Sequence, residues 1–393
     1  MKALNLYTLI PRANSNKLLR FTKALSARAY YKKHYIDLLN RETHAFDISD
    51  WIKTLDFKVL DHDQEMHVIH LFYELGFLFE KLESSIDEND LLALDIQYEE
   101  KSEEALTLPS KKIDLELFSE LQFSDYEKQF HEGFKELSLG NCYQFNLTGK
   151  YVYSFDAGYG PHHFIEALWR DQRKRGAYSS ATYVEALDQL FLSNSPECLF
   201  DYEKGELVTR PIKGTLKRHS DEKKEIETLW QELVSDSKSQ GELYMITDLL
   251  RNDLSRIDLP VAKVEKKKAL LLVPGLIHQY SEIKVNLRSH ITLKNILEKI
   301  FPGGSITGTP KKRVMSILRK IEKRSRGFYC GSTVILSPGK IEASINIRSS
   351  VIDFKKNTLS YQAGGGITLM SDVKSEFEEM TYKRDSYIDV LTL

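Results

Sequence analysis

The clearest hydrophobic pattern in the chain runs from Tyr126 to Leu139, where Tyr126, Phe130, Phe134 and Leu137 share one face of a helix. Gly140-Asn141 stops that helix, and Cys142 to Thr148 then alternates as a strand. Similar spacing predicts helices over Glu242 to Asp253, Pro310 to Arg324 and Ser375 to Lys383. Cys198 to Tyr202 and Leu207 to Arg210 read as strands, with Lys204-Gly205-Glu206 as the turn between them. A hairpin centred on Gly205 sets Glu197 opposite Lys213, within one residue of register. A three-strand meander follows downstream, from Tyr329 to Ser337, Lys340 to Asp353 and Leu359 to Ala363. Two-residue pairing at Pro338-Gly339 puts Tyr329, Arg348 and Gly364 in one row across that meander.

The first third has another texture, rich in Leu, Lys, Glu, Asp and Tyr and poor in glycine. Apolar residues from Trp51 to Leu82 are unevenly spaced and predict a helix around Met66 to Leu82. The acidic stretch Ser84 to Pro109 reads as an exposed connection. The change of texture divides the chain into a subdomain over residues 1–115 and a larger domain over 116–393. The fold class expected is α+β, or mixed α/β.

Composition narrows the picture modestly. The 393 residues are 41% hydrophobic and 28% charged, with a net charge of −2, the values of a soluble globular protein with no polyanionic partner. No apolar run approaches the roughly 18 residues of a membrane span, and the first residues lack the features of a signal peptide. Cys142, Cys198 and Cys330 follow no ligand or redox spacing and are expected to be reduced, in a cytoplasmic protein. His44, His62, His67 and His70 follow no ligand pattern either and read as structural or exposed.

Three constellations carry chemistry. Glu197 and Lys213 at one hairpin end form an acid and an amine that can displace a leaving group together; alone, such a pair is most often a surface salt bridge. Glu376 and Glu379 share a helix face, and Glu242 heads a second acidic helix. Hard carboxylate oxygens from two helices suit magnesium, which keeps its waters and accepts substrate oxygens. Third come the anion-binding groups: the glycine- and hydroxyl-rich loop Phe301 to Lys311, the glycine run Ala363 to Ile367, and the guanidinium and phenol of Arg348 and Tyr329.

Residues 125 to 393 resemble the chorismate-utilising enzymes through an ordered series of motifs. These are Gly140–Thr148, Ser195-Pro196-Glu197, Arg210–Thr215, Glu242–Arg256, His278 with Ser281, Phe301–Lys311, Arg326–Gly331, Ile347–Ser349, Ala363–Ile367 and Glu376–Lys383. The resemblance implies a layered fold of two large, mostly antiparallel sheets flanking helices, with 116–393 as the chorismate-binding catalytic domain. Gln144 stands where water-adding members carry lysine, which is similar to the ammonia-using branch. The form Pro211-Ile212-Lys213-Gly214-Thr215 resembles the aminodeoxychorismate synthase component I type, whereas anthranilate synthases carry alanine at the lysine. The resemblance further implies Lys213 as nucleophile, Glu197 as general acid, and Gln144 and His278 at the reaction centre. It implies Arg348, Tyr329, Gly364, Gly365, Gly366, Ser305, Thr215 and Lys383 around chorismate, and Glu242, Glu379 and Glu376 around Mg2+. With no glutaminase segment in the sequence, ammonia is expected from a separate glutamine amidotransferase subunit or from solution. The competing expectations are anthranilate synthase component I and a non-catalytic chorismate-binding subunit.

Overall fold

The computed structural model describes residues 5–12, 15–57, 66–107, 111–218, 220, 222–258, 261–273 and 276–392; His62 therefore lies outside the described residues. Antiparallel pairing runs without interruption through a single ladder of strands. It begins at Lys263–Val273 and passes through Leu276–Asn286, Glu206–Thr209, Cys198–Glu203, Lys340–Ser344, Ser332–Ser337, His67–Leu71 and Ala93–Ala105. It continues through Lys17–Tyr30, Leu6–Pro11, Tyr178–Val184, Gln189–Ser195, Ser349–Asp353, Thr358–Ile367 and Gln144–Ser154. The two antiparallel sheets expected from the sequence are thus two halves of one ladder, joined by the long strands Lys17–Tyr30 and Ala93–Ala105.

Each half has its own apolar core. Helices Ser237–Ser255 and Leu293–Ile300 contribute Leu243, Ile246, Leu250, Leu293, Ile296 and Leu297 to the first. Helices Phe123–Ser138, Pro161–Trp169, Lys311–Glu322 and Val373–Thr392 pack on the second. A third cluster brings Val68 and Ile96 of the first half against Val184 and Phe191 of the second, with Phe328 among them. The helices stand where the apolar periodicity puts them. In Phe123–Ser138 the buried positions are Tyr126, Phe130, Gly133 and Leu137. Gly133 is required there, because a Cβ would meet the Phe145 ring at 2.2 Å.

Two expectations in the first third fail. Met66 to Leu82 is no helix. His67–Leu71 is a strand buried on both faces, followed by the short helical turns Tyr73–Leu75 and Gly76–Phe79. A run buried on both faces has no period to distinguish strand from helix. The acidic stretch Ser84 to Pro109 is a strand for half its length, because Ala93–Ala105 pairs along most of Lys17–Tyr30; residues 108–109 lie outside the described residues. Its exposed glutamates are matched across the ladder: Arg20 to Glu104 at 2.9 Å, Lys17 to Glu103 at 3.2 Å, and Lys23 to Glu100.

The meander register fails in part. Val334↔Ala343 confirms the turn at Pro338-Gly339, but the strand ends at Ser344 and a new one starts at Ser349 in the other half of the ladder. Arg348 takes a left-handed φ of 49° in that break, and Ser350↔Tyr361 places Gly364 one residue out of the expected register. Tyr329, Arg348 and Gly364 therefore do not form one row.

Candidate active site

The chain crosses between the two ladder halves twice within a short distance. Gln189–Ser195 leads into Cys198–Glu203 through Pro196-Glu197, and Lys340–Ser344 leads into Ser349–Asp353 through residues 345–348. The crossings are bonded together: the Ile345 amide donates to the Glu197 carbonyl at 2.9 Å, and the Ser195 hydroxyl donates to the Ile345 carbonyl. Glu197 and Arg348, the proposed acid and the proposed carboxylate clamp, each sit on one crossing.

Lys213 reaches this place by a bulge. Glu206–Thr209 and Ile212–Lys217 pair in one register with Leu276–Asn286, and the Ser281 amide donates across Pro211 to its carbonyl at 3.1 Å. Arg210 anchors the approach with Asp201 at 2.8 Å and Glu282 at 2.9 Å. The register then slips between Lys213 and Thr215, at Gly214 with φ 77°. A bulge bends its strand and re-aims the neighbouring side chain. A Cβ on Gly214 would also come within 2.8 Å of Leu233. The hairpin around Gly205 pairs only from Glu203↔Glu206 to Asp201↔Val208, and its first strand carries a bulge between Cys198 and Phe200; Lys213 is nonetheless near enough for its charge to act on Glu197.

Charge and burial define the pocket. Burial pushes the Glu197 carboxyl above its usual range, opposed by the nearby Lys213 charge and the Ser305 hydroxyl. Lys213 Nζ also lies 3.8 Å from Glu242 Oε2. His278, paired through its backbone with Thr215, is pushed down to about 4, by burial first and then by the Arg348 charge. It is a neutral imidazole at ordinary pH. The Thr215 side chain lies outside the described residues. Glu197, Lys213, Glu242, Ser305, His278 and Arg348 are thereby linked around the crossings.

The remaining predicted residues gather along Thr358–Ile367 and the helix Val373–Thr392. Gly364, Gly365 and Gly366 pair with Thr148, Leu147 and Asn146 on one side. Ser349–Asp353 pairs only as far as Tyr361 on the other side, so the glycine run has one edge without a strand. Lys383 Nζ donates to the Gly364 carbonyl at 2.9 Å and pairs with Glu379 at 2.7 Å. The buried Glu376 accepts from Ser371 at 2.8 Å, and its other oxygen lies 3.0 Å from where a Gly365 Cβ would stand. Gln144 Nε2 would be 2.3 Å from a Cβ on Gly366, so the glycine makes room for the carboxamide.

Tyr361 ties the two groups together. Its hydroxyl donates to the Lys383 carbonyl at 3.1 Å, and it feels the Arg348 charge from the crossing side. Tyr329 is buried, and burial drives its phenol well above the ordinary value. Tyr126 was missed as a site neighbour: burial and then the Glu376 and Glu379 charges push its phenol up. The only signal available was its place on an apolar helical face, which reads as core.

Among the described residues no three His, Cys, Asp or Glu side chains converge as a closed metal cage. Glu242, Glu376 and Glu379, on two helices and engaged with Lys213, Ser371 and Lys383, offer hard oxygens of the kind taken by a cation with few protein ligands. Cys142, Cys198 and Cys330 are buried free thiols. His70 is buried and His67 pairs with Asp95, while His44 is half-exposed, so the structural reading of these three holds. No helix among the described residues is long and apolar enough to cross a membrane.

Aminodeoxychorismate synthase component 1 of Salmonella typhimurium is 35% identical over 257 residues, 65% of this chain and 55% of that protein. The Escherichia coli protein of the same name is 34% identical over 278 residues, 69% of this chain and 59% of that protein. Anthranilate synthase component 1 of Aquifex aeolicus is 33% identical over 214 residues, 54% of this chain and 43% of that protein. The matched stretch thus spans little more than half the length of the first two relatives. Among solved structures, anthranilate synthase component I from Streptococcus pneumoniae TIGR4 superposes with a TM-score of 0.78 at 19% identity, covering 96% of this chain and 93% of that one. The menaquinone-specific isochorismate synthase from Escherichia coli gives a TM-score of 0.74 at 16% identity, covering 99% and 89%. Residues 11–389 match the chorismate binding enzyme family, and the chain belongs to it.

Proposed function

We propose that this chain aminates chorismate at C4, as an aminodeoxychorismate synthase component I. The observation that carries the reading is Lys213, set next to the Gly214 bulge and close to both the half-buried Glu197, whose carboxyl burial pushes up, and the carboxylate of Glu242. The enolpyruvyl carboxylate docks on Arg348 and the open edge of the glycine run, with Tyr329 and Ser305 lining the pocket. Lys213, as the neutral amine, attacks C2 of the ring. The ring double bonds shift and the C4–O bond breaks, and the Glu197 proton leaves with the hydroxyl as water. Burial pushes the Glu197 carboxyl up, the direction this step needs. Ammonia then attacks C4, the double bonds shift back, and Lys213 leaves C2. The neutral His278 and the Gln144 carboxamide orient the reacting ring and the incoming ammonia.

Glu242 and Glu379, with Glu376 beside them, would hold magnesium, which when bound neutralises the ring carboxylate. Lys383 and Glu379 make an ion pair on the same helix face, so this lysine steers the Glu379 carboxylate and grips Gly364. A glutamine amidotransferase subunit is the expected source of ammonia, in keeping with the name component 1 of the relatives. The second reading, anthranilate synthase component I, draws on the Aquifex aeolicus relative and the Streptococcus pneumoniae fold. It gives Lys213 no covalent part.

The test is product analysis with purified protein, chorismate, magnesium and ammonium, with and without aminodeoxychorismate lyase. p-Aminobenzoate that forms only with the lyase supports the reading; anthranilate favours the second; chorismate bound but unconsumed favours a non-catalytic subunit. Lys213→Ala should abolish amination, and an unchanged rate would remove the covalent role.

A further inference from the structure

Arg326 has the least exposed charged side chain near the site, at 1%. Nε and Nη2 hold both oxygens of Glu322, at 2.9 and 2.8 Å, and the guanidinium plane lies 4.7 Å over the Tyr73 ring. The donors left over go to main chain: Nη1 donates to the Ile306 carbonyl at 3.1 Å and Nη2 to the Asn146 carbonyl at 2.6 Å. A buried ion pair is weak evidence for stability, because apolar side chains of the same volume often do as well. Apolar side chains cannot hold two carbonyls of separate segments at a set distance. The rigid five-donor fork of arginine can.

Both gripped segments carry site residues. Ile306 follows Ser305, whose hydroxyl acts on Glu197. Asn146 is two residues beyond Gln144 on the same strand face, and pairs with Gly366. The network has further ties to the same place. Glu322 accepts from Thr148 N and Oγ1 at 3.1 and 2.7 Å, and Gln362 Nε2 donates to the Arg326 carbonyl at 2.7 Å, two residues before Gly364.

We propose that Arg326 is a positioning residue for the amination reaction: by gripping the Ile306 and Asn146 carbonyls it fixes Ser305 on the acid side and Gln144 on the ammonia side at one separation. It touches no substrate and acts only through these two segments. The inference rests on the functional reading above, which assigns Glu197 and Gln144 to those two sides.

The test uses Glu322→Gln alone and the double variant Glu322→Gln with Arg326→Gln, each as the full chain with chorismate, magnesium and ammonium. Wild-type turnover checks the functional reading independently: if wild type makes no aminated product, that reading fails before the variants are compared. The double variant leaves neither member of the Arg326–Glu322 pair unpaired, while Arg324 loses the neighbouring Glu322 charge in both variants, so the double variant's thermal midpoint should recover part of what Glu322→Gln loses. The shorter glutamine cannot span both carbonyls, and a displacement of about 1 Å costs on the order of 10²-fold in rate. We therefore expect kcat of the double variant to fall by roughly that factor with KM for chorismate within about three-fold, while Glu322→Gln keeps kcat within about three-fold. A merely structural role would make kcat follow the thermal midpoint in both variants. The proposal is overturned if the double variant matches wild-type kcat, or if Glu322→Gln alone loses as much kcat as the double. Should the double variant not fold, the Glu322→Gln result decides: retained kcat with lowered stability supports the grip, and lost kcat overturns it.

Discussion

Two polar clusters sit at the junction of the ladder halves and differ in whether they hold charged groups. In the first, His70 Nδ1 bonds Thr333 Oγ1 at 2.9 Å and Nε2 bonds Thr182 Oγ1 at 2.8 Å; Thr182 in turn meets Thr8, and Thr333 meets Asn346. Both ring nitrogens are used, no charged partner is present, and burial alone pushes the imidazole down to about 3. In the second, at the chain crossings, burial pushes the carboxyl of the half-buried Glu197 up, against the Lys213 charge and the Ser305 hydroxyl. The His70 ring has no nitrogen left for a ligand, so it stabilises, although Asn346 Nδ2 at the edge of its cluster lacks a partner among the described residues. A charged cluster with a displaced pKa is what acid catalysis needs.

The largest effect that would break this contrast comes from the charged cluster. Glu197→Gln keeps the shape and removes the transferable proton. kcat for amination should fall by about 10²–10⁴-fold, the usual worth of a positioned acid, with chorismate still bound. Steady-state rates and a direct binding titration check it; a rate within three-fold of wild type would place the acid elsewhere.

The next effect belongs to the uncharged cluster and appears in stability. His70→Leu is close in volume but leaves both threonine hydroxyls short of a partner, at a cost of about 1–3 kcal/mol. Denaturant unfolding should show that loss with kcat unchanged. The pH dependence has a definite sign. The folded His70 pKa lies below the unfolded value, so its stabilising contribution is present above about pH 6.5 and is lost as pH falls toward 3. His70→Leu should flatten that acid-side slope. A fall in kcat as large as that of Glu197→Gln would dissolve the contrast.

How much of this was legible in the sequence differs between the same two regions. The Gly205 hairpin and the Pro338-Gly339 turn fixed their registers locally, so Glu197 and Lys213 could be brought together from spacing alone. The helix bearing Glu376 and Glu379 was equally plain in its period. The row of Tyr329, Arg348 and Gly364 was not legible, because the strand breaks at residues 345–348 and its continuation joins the other half of the ladder. Nothing local announces such a crossing. The long acidic strand Ala93–Ala105 escaped for a related reason: its glutamates are stabilised by Arg and Lys on Lys17–Tyr30, some 80 residues earlier. The His70 cluster was legible only as an absence of ligand spacing, since its threonine partners come from distant strands.

The smallest effect tests whether burial or hydrogen bonding governs a buried acid beside the Arg326 network. Glu74 accepts from the Arg326 amide at 2.7 Å and the Gly327 amide at 2.9 Å, and both bonds favour its ionised form. Burial outweighs them, with Asp90 adding to it, and pushes the carboxyl up to about 7. Glu74 thus resembles Glu197 in having its carboxyl pushed up by burial but resembles His70 in being engaged on both polar atoms. Because the folded pKa is raised, its contribution to stability is fully present below about pH 4.5 and is lost as pH rises through about 7. That slope is opposite to the one from His70, so the two groups together favour a stability maximum at mildly acidic pH. Glu74→Gln cannot titrate, and its amide still accepts from one of the two N–H groups. Its stability should therefore be lower at pH 5 and converge on wild type toward pH 8. A gap that instead widens with pH would mean that the two amide donors prevail over burial and that Glu74 is ionised, leaving Glu197 without this structural counterpart.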